Sequence, residues 1–89
     1  MKIEKDLKIK NKLGLHARAA AQFVKLANRF SCEVKVSKDH TIANGKSIMG
    51  VLTLAASLGS TIHIHCVGVD ADEAMAALEK LIEDKFKEE

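Results

Sequence analysis

Thr61-Ile62-His63-Ile64-His65-Cys66-Val67 alternates without a break, with Ile62, Ile64 and Cys66 on one side and Thr61, His63 and His65 on the other. A period of two is that of a β-strand, and a strand apolar on one side only belongs to a sheet with one covered face. Upstream, residues 2–10 repeat the pattern less cleanly: Ile3, Leu7 and Ile9 share a face, and Lys5 interrupts it. Residues 32–37 alternate through Val34 and Val36, Lys38-Asp39-His40 reads as a polar turn, and residues 41–43 form a short return strand, a hairpin. Asn44-Gly45 then breaks the strand.

Between these strands the period changes from two to that of a helix. Over residues 17–29, Ala20, Phe23, Val24, Ala27 and Phe30 recur at helical spacing and predict one buried face, leaving Gln22, Lys25, Asn28 and Arg29 for solvent or partners. Ser47 is placed to cap a short helix running through Leu52 or slightly beyond, with Val51 and Leu54 as its inward pair. At the C-terminal end, Asp70 and Glu73 form a capping-box-like pair, opening a helix with the stripe Ala74, Met75, Leu78, Leu81, Ile82 and Phe86. The order is β-α-β-β-α-β-α. One-sided strands with three amphipathic helices give an α+β fold, a two-layer sandwich with all helices on the same side of the sheet.

With 89 residues the chain is expected to be one domain, residues 1–89, without repeats, low-complexity segments or prolines. Its net charge of +2 is too slight for a nucleic-acid footprint, and with no Trp, no Tyr and three Phe it offers little surface for base stacking. No apolar run approaches the roughly 20 residues that span a bilayer, and Met1-Lys2-Ile3-Glu4-Lys5-Asp6 lacks the apolar block of a signal peptide. A cytoplasmic location is therefore expected, with Cys32 and Cys66 as free thiols in the core. His63 and His65 share a strand face but make a poor metal pair without a carboxylate or thiol beside them, and His40 is a turn residue.

Leu13-Gly14-Leu15-His16-Ala17-Arg18-Ala19-Ala20-Ala21 places a histidine where a loop becomes a helix. A helix start presents unpaired N–H groups and positive potential, which suits an anion. A neutral imidazole adds nucleophilicity, so it can accept a group covalently and release it. Arg18 contributes a planar fork of donors for phosphate oxygens, and Gly14 lets the loop bend without a Cβ penalty. On local chemistry alone, His16 also reads as an ordinary cap.

Leu13-Gly14-Leu15-His16-Ala17-Arg18, followed by small residues, resembles the phosphorylation motif of the HPr family, the histidine-containing phosphocarriers of the bacterial phosphotransferase system. Asn44-Gly45-Lys46-Ser47-Ile48-Met49-Gly50-Val51-Leu52 resembles the family's regulatory serine segment, and the likeness extends from Ile3 to the C-terminal helix. The resemblance implies a four-stranded antiparallel sheet with one face open to solvent. It implies that Nδ1 of His16 takes a phosphoryl group from phosphorylated enzyme I, itself charged by phosphoenolpyruvate, and hands it to IIA-type acceptors in sugar uptake. Arg18 and the backbone N–H groups of Ala17 and Arg18 would hold the phosphate, with neither metal nor cofactor.

Ser47 has two readings, a plain helix cap or the target of an ATP-dependent HPr kinase/phosphorylase, as the resemblance implies. The family's partner patch maps onto Ile48, Met49 and Leu52, ringed by the cations Arg18, Lys25, Arg29 and Lys46 that would attract acidic partners. A monomer is the simplest state for a carrier whose histidine must be reached. One residue departs from the pattern: most HPr sequences have proline after the arginine, and this chain has Ala19, which adds a backbone donor beside the phosphate. Altered phosphoryl stability is expected, and with it the question of a sugar-uptake or a nitrogen-type regulatory branch. The alternative function is that of a regulatory module acting mainly by binding partner proteins.

Overall fold

The computed structural model describes residues 1–88 and runs β1 (Lys2–Lys8), α1 (Ala17–Ala27), β2 (Glu33–Lys38), β3 (Thr41–Asn44), α2 (Ile48–Thr53), β4 (Thr61–Val67) and α3 (Ala71–Glu83), followed by a short turn at Lys85–Lys87. The sheet order is β1-β4-β2-β3 with every neighbouring pair antiparallel, so the cleanest alternation in the sequence belongs to an inner strand. Ile62, Ile64 and Cys66 are fully buried beneath the helices, together with Val34 and Val36 of β2. His63 and His65 lie on the opposite, open face, paired in register with Asp6 and Glu4 of β1. All three helices cover one face, as expected for the open-faced sandwich.

Lys5, which interrupts the β1 pattern, does sit on the helix side. The side chain stays exposed and its Nζ reaches Glu79 Oε1 on α3 at 2.7 Å, so the charge is paired and remains in solvent. Lys10 makes a second ion pair with Glu83. The β1 ladder stops at Lys8 rather than residue 10, although Ile9 stays fully buried and exchanges backbone hydrogen bonds with Ser60 and Gly59 at 2.8 and 2.9 Å.

Three expectations at helix ends are corrected. Helix α1 ends at Ala27 rather than near residue 29, because the Asn28 side chain and backbone both donate to Val24 O and close the last turn, leaving Phe30 half-buried. Asp70 does occupy the N-cap position of α3, but its side chain does not cap the helix: the carboxylate accepts from the N–H groups of Ser31 and Cys32 at 2.8 and 2.9 Å, two amides just before β2. Those bonds, the Ser31 one first, hold the Asp70 carboxyl below its ordinary pKa. The third concerns Phe86, which is buried but is not on α3; the helix ends at Glu83, and a left-handed turn with φ of 56°, 54° and 57° at Lys85, Phe86 and Lys87 swings the ring back into the core.

The interior is one cluster in which Phe23, Val51, Met75, Leu78 and Ile82 from the helices meet the sheet. Val51 and Leu54 are the inward residues of the α2 region, as their spacing indicated. Cys32 and Cys66 are both free and buried. Among the described residues no helix is long and apolar enough to cross a membrane.

Candidate functional site

The loop between β1 and α1 is built around two residues. Gly14 has φ +66°, and a Cβ there would lie 2.4 Å from Ala56 O, so the position demands glycine for both its conformation and its close approach. Leu15 then bonds the same carbonyl through its N–H at 2.8 Å and is itself buried. Asn11, at 1% exposure the single buried polar residue among those described, donates from Nδ2 to Gly14 O at 2.7 Å and to Glu88 Oε2 at 3.1 Å. Glu88 also accepts from the Leu13 N–H at 3.2 Å, and the Asn11 amide above all holds its carboxyl below the ordinary pKa. Sequence reasoning missed both residues, because the contacts of Glu88 with Asn11 and Leu13 join positions more than 70 residues apart.

This loop delivers His16 to the N-cap of α1. Its backbone is extended, its ring is half-buried, and Nδ1 accepts a hydrogen bond from Ala19 N–H at 3.2 Å. A neutral ring accepting at Nδ1 carries its proton on Nε2. Ala17 and Arg18 are exposed in the first turn, where their N–H groups have no intrahelical carbonyl to reach. A recess of about 300 Å³ opens beside the ring, lined by Leu13, His16, Arg18, Gln22, Phe86, Lys87 and Glu88.

The second segment folds as its residues indicated. Ser47 is the N-cap of α2, and its Oγ accepts from Gly50 N–H at 3.1 Å. Beyond it Ile48 and Met49 are 44% and 73% exposed, whereas Leu52 is half-buried against the core. The patch is thus two exposed apolar side chains with a third at its base. Of the surrounding cations, Arg18, Lys25 and Arg29 are exposed on α1 and just beyond it. Lys46 is half-buried and donates from Nζ to Phe30 O at 2.6 Å, so its charge is anchored where α1 has just ended.

On the far face, His63 has the carboxylates that the sequence reading did not place near it. Nδ1 lies 2.8 Å from Asp6 Oδ1 and Nε2 2.8 Å from Glu4 Oε1, which raises the pKa of the ring. The alternation of Glu4 and Asp6 along β1 was the available signal. His65 instead has a buried Nε2 without a partner.

Residues 3–84 match the family model described as the PTS HPr component phosphorylation site. The chain belongs to the HPr family. It is 49% identical over 84 residues to the phosphocarrier protein HPr of Pseudomonas aeruginosa, covering 93% of each chain. It is also 49% identical to the HPr-like protein Crh of Halalkalibacterium halodurans over 81 residues, 91% of this chain and 96% of that one. The crystal structure of HPr-C-His from Thermoanaerobacter tengcongensis superposes with a TM-score of 0.94 at 48% identity, covering 98% of both chains. A crystal structure described as an HPr dimer from the same organism matches with a TM-score of 0.79 at 49% identity, covering 92% of this chain and 94% of that one. Like its HPr relatives the chain is a phosphocarrier protein of the phosphotransferase system rather than a catalyst.

Proposed function

We propose that His16 is the residue through which this phosphocarrier works in the phosphotransferase system, with the phosphoryl group on Nδ1. The observation that supports this reading is the position of the ring: half-buried at a helix start, beside the exposed Arg18 and above an open recess. The free N–H groups of Ala17 and Arg18 and the Arg18 guanidinium supply donors for the phosphate oxygens, and the helix dipole favours the charge. Nδ1 attacks phosphorus in line, the donor atom departs with its electron pair, and Nε2 keeps its proton. The carrier needs no metal for this step. Enzyme I is the donor in this scheme and IIA-type domains are the acceptors, both docking on Ile48, Met49 and Leu52 with Arg18, Lys25 and Lys46 steering acidic surfaces. Mixing the protein with phosphoenolpyruvate, magnesium and a matching enzyme I should yield one acid-labile phosphate that His16→Ala abolishes; an unlabelled parent overturns the reading.

Ser47 serves as a regulatory site beside this patch. A phosphate at the start of α2 would be compatible with the helix dipole and would set nearly two negative charges against the apolar docking surface, repelling the same acidic partners. Incubation with an HPr kinase and ATP should give an acid-stable ester lost in Ser47→Ala, and failure to label the parent removes the claim. A module acting by binding alone, the alternative for an HPr-like chain, would take no phosphate at His16, so the loading experiment separates the two. The protein works as a monomer in the cytoplasm, and sedimentation at working concentration tests the former.

A further inference from the structure

The first turn of α1 does something to His16 that an anion site alone does not require. Ala20 N–H, the first to find a carbonyl within the turn, donates to His16 O at 2.8 Å. Ala19 N–H is the last without one, and it is aimed at Nδ1 of the ring. The Ala19 methyl is fully buried in the core, so the backbone at this position is held from below while its amide is held from above. A lone pair that accepts a hydrogen bond is not free to attack phosphorus. Resting on the reading of His16 as acceptor, we propose that the Ala19 N–H is a latch on Nδ1: it parks the imidazole in the unloaded carrier and must release before the ring can be phosphorylated.

The latch slows loading without changing how the donor protein docks, because a backbone amide beneath the ring presents nothing to a partner. During loading, Nδ1 turns away from the amide, its lone pair forms the N–P bond, and the bond from phosphorus to the donor breaks with its electrons staying on the donor. Nε2 keeps its proton throughout. Proline, usual at this position in the family that the chain resembles, has no N–H and can form no latch. Ala19 therefore gives this chain a resting state that proline denies.

Two measurements test the latch. In ¹⁵N-labelled unloaded protein at neutral pH, a scalar coupling across the hydrogen bond should connect the Ala19 amide nitrogen with His16 Nδ1; its absence overturns the proposal. In single-turnover loading from phosphorylated enzyme I, Ala19→Pro should react about twofold to tenfold faster at saturating donor, the worth of one net hydrogen bond, with the dependence on donor concentration unchanged. Ala19→Gly, which keeps the N–H but gives up the buried methyl that holds the backbone, should accelerate loading less than proline does. Equal rates in the parent and Ala19→Pro, or equal acceleration by glycine and proline, overturn it. A parent that takes no phosphate at His16 defeats the carrier reading instead, whereas a parent that loads normally but shows no coupling defeats only the latch.

Discussion

His63 stands directly across the β1–β4 ladder from Asp6, with Nδ1 2.8 Å from Oδ1, and turns its other nitrogen to Glu4. The Asp6 and then the Glu4 hydrogen bonds raise the His63 pKa above its ordinary 6.5, and the His63 hydrogen bond above all lowers that of Glu4 from 4.5. A raised histidine contributes stability that is fully present below 6.5 and is lost as pH rises through the folded value. A depressed carboxyl contributes stability that is present above 4.5 and is lost as pH falls through its folded value. The clamp is therefore strongest between these limits, and its exposure to solvent keeps the effect small. His63→Gln should flatten the decline in Tm that sets in above pH 6.5, as pH rises through the raised folded value. Parallel Tm profiles for parent and variant would remove the clamp from the account.

Gly14 and Ala56 set the height of the histidine loop. Gly14→Ala would force an L-residue into φ +66° and drive a Cβ to 2.4 Å from Ala56 O, which is backbone and cannot swing aside. A loss of about 1–3 kcal/mol is expected, read as a lower urea midpoint at unchanged m-value. Because Leu15 N–H also bonds that carbonyl, the displacement carries to His16 and loading should slow as well. Unchanged stability and loading would show that the loop relaxes freely.

The two cysteines test the core. Burial, and then its neighbour Cys32, push the Cys66 thiol up to about 11, and burial raises that of Cys32 too. Thiolate is the reacting form, so both should resist an alkylating reagent at neutral pH and label only as the structure opens. Added urea should bring the two labelling rates up together. Rapid labelling of either cysteine in native buffer would contradict its burial.

How much of this the sequence discloses depends on how local the cause is. The β4 alternation, the α1 stripe as far as Ala27 and the Ser47 cap are set by neighbours within a few positions, and each forms as its pattern indicates. Asp70 and Phe86 misled because a local motif was outcompeted by distant groups: free amides at Ser31 and Cys32 in one case, a left-handed chain reversal in the other. Lys5 looked like an error in β1 only because its partner, Glu79, sits on α3. At the histidine loop, His16, Arg18 and Gly14 were legible as residue types in order. Asn11 and Glu88 were not, since nothing links them until the chain folds.

Ser47 as a cap and Ser47 as a regulatory site make different demands on substitution. Ser47→Ala removes the acceptor for Gly50 N–H and should cost about 1 kcal/mol. Ser47→Asp keeps an acceptor and adds charge at a helix start, so stability should hold while association with an acidic partner weakens. Urea melts and titration calorimetry against enzyme I separate the two. An aspartate variant that binds as tightly as the parent would leave Ser47 a structural cap alone.

Glu88 straps the end of the chain to the loop that leads into His16, through Leu13 N–H and Asn11 Nδ2. Phe86 anchors that segment in the core independently, so the strap can be cut without unfolding the turn. Glu88→Ala should accelerate hydrogen exchange at the Leu13 amide by about twofold to tenfold, the worth of one net hydrogen bond, and leave exchange in β4 untouched. Because the Glu88 carboxyl is held below its ordinary 4.5, the strap is present above that pH and lets go as pH falls through the depressed value. The parent's Leu13 protection should therefore fall toward that of the variant in acid. Protection at Leu13 that is the same in both proteins at neutral pH would show that the loop holds its shape through Gly14 and Asn11 alone.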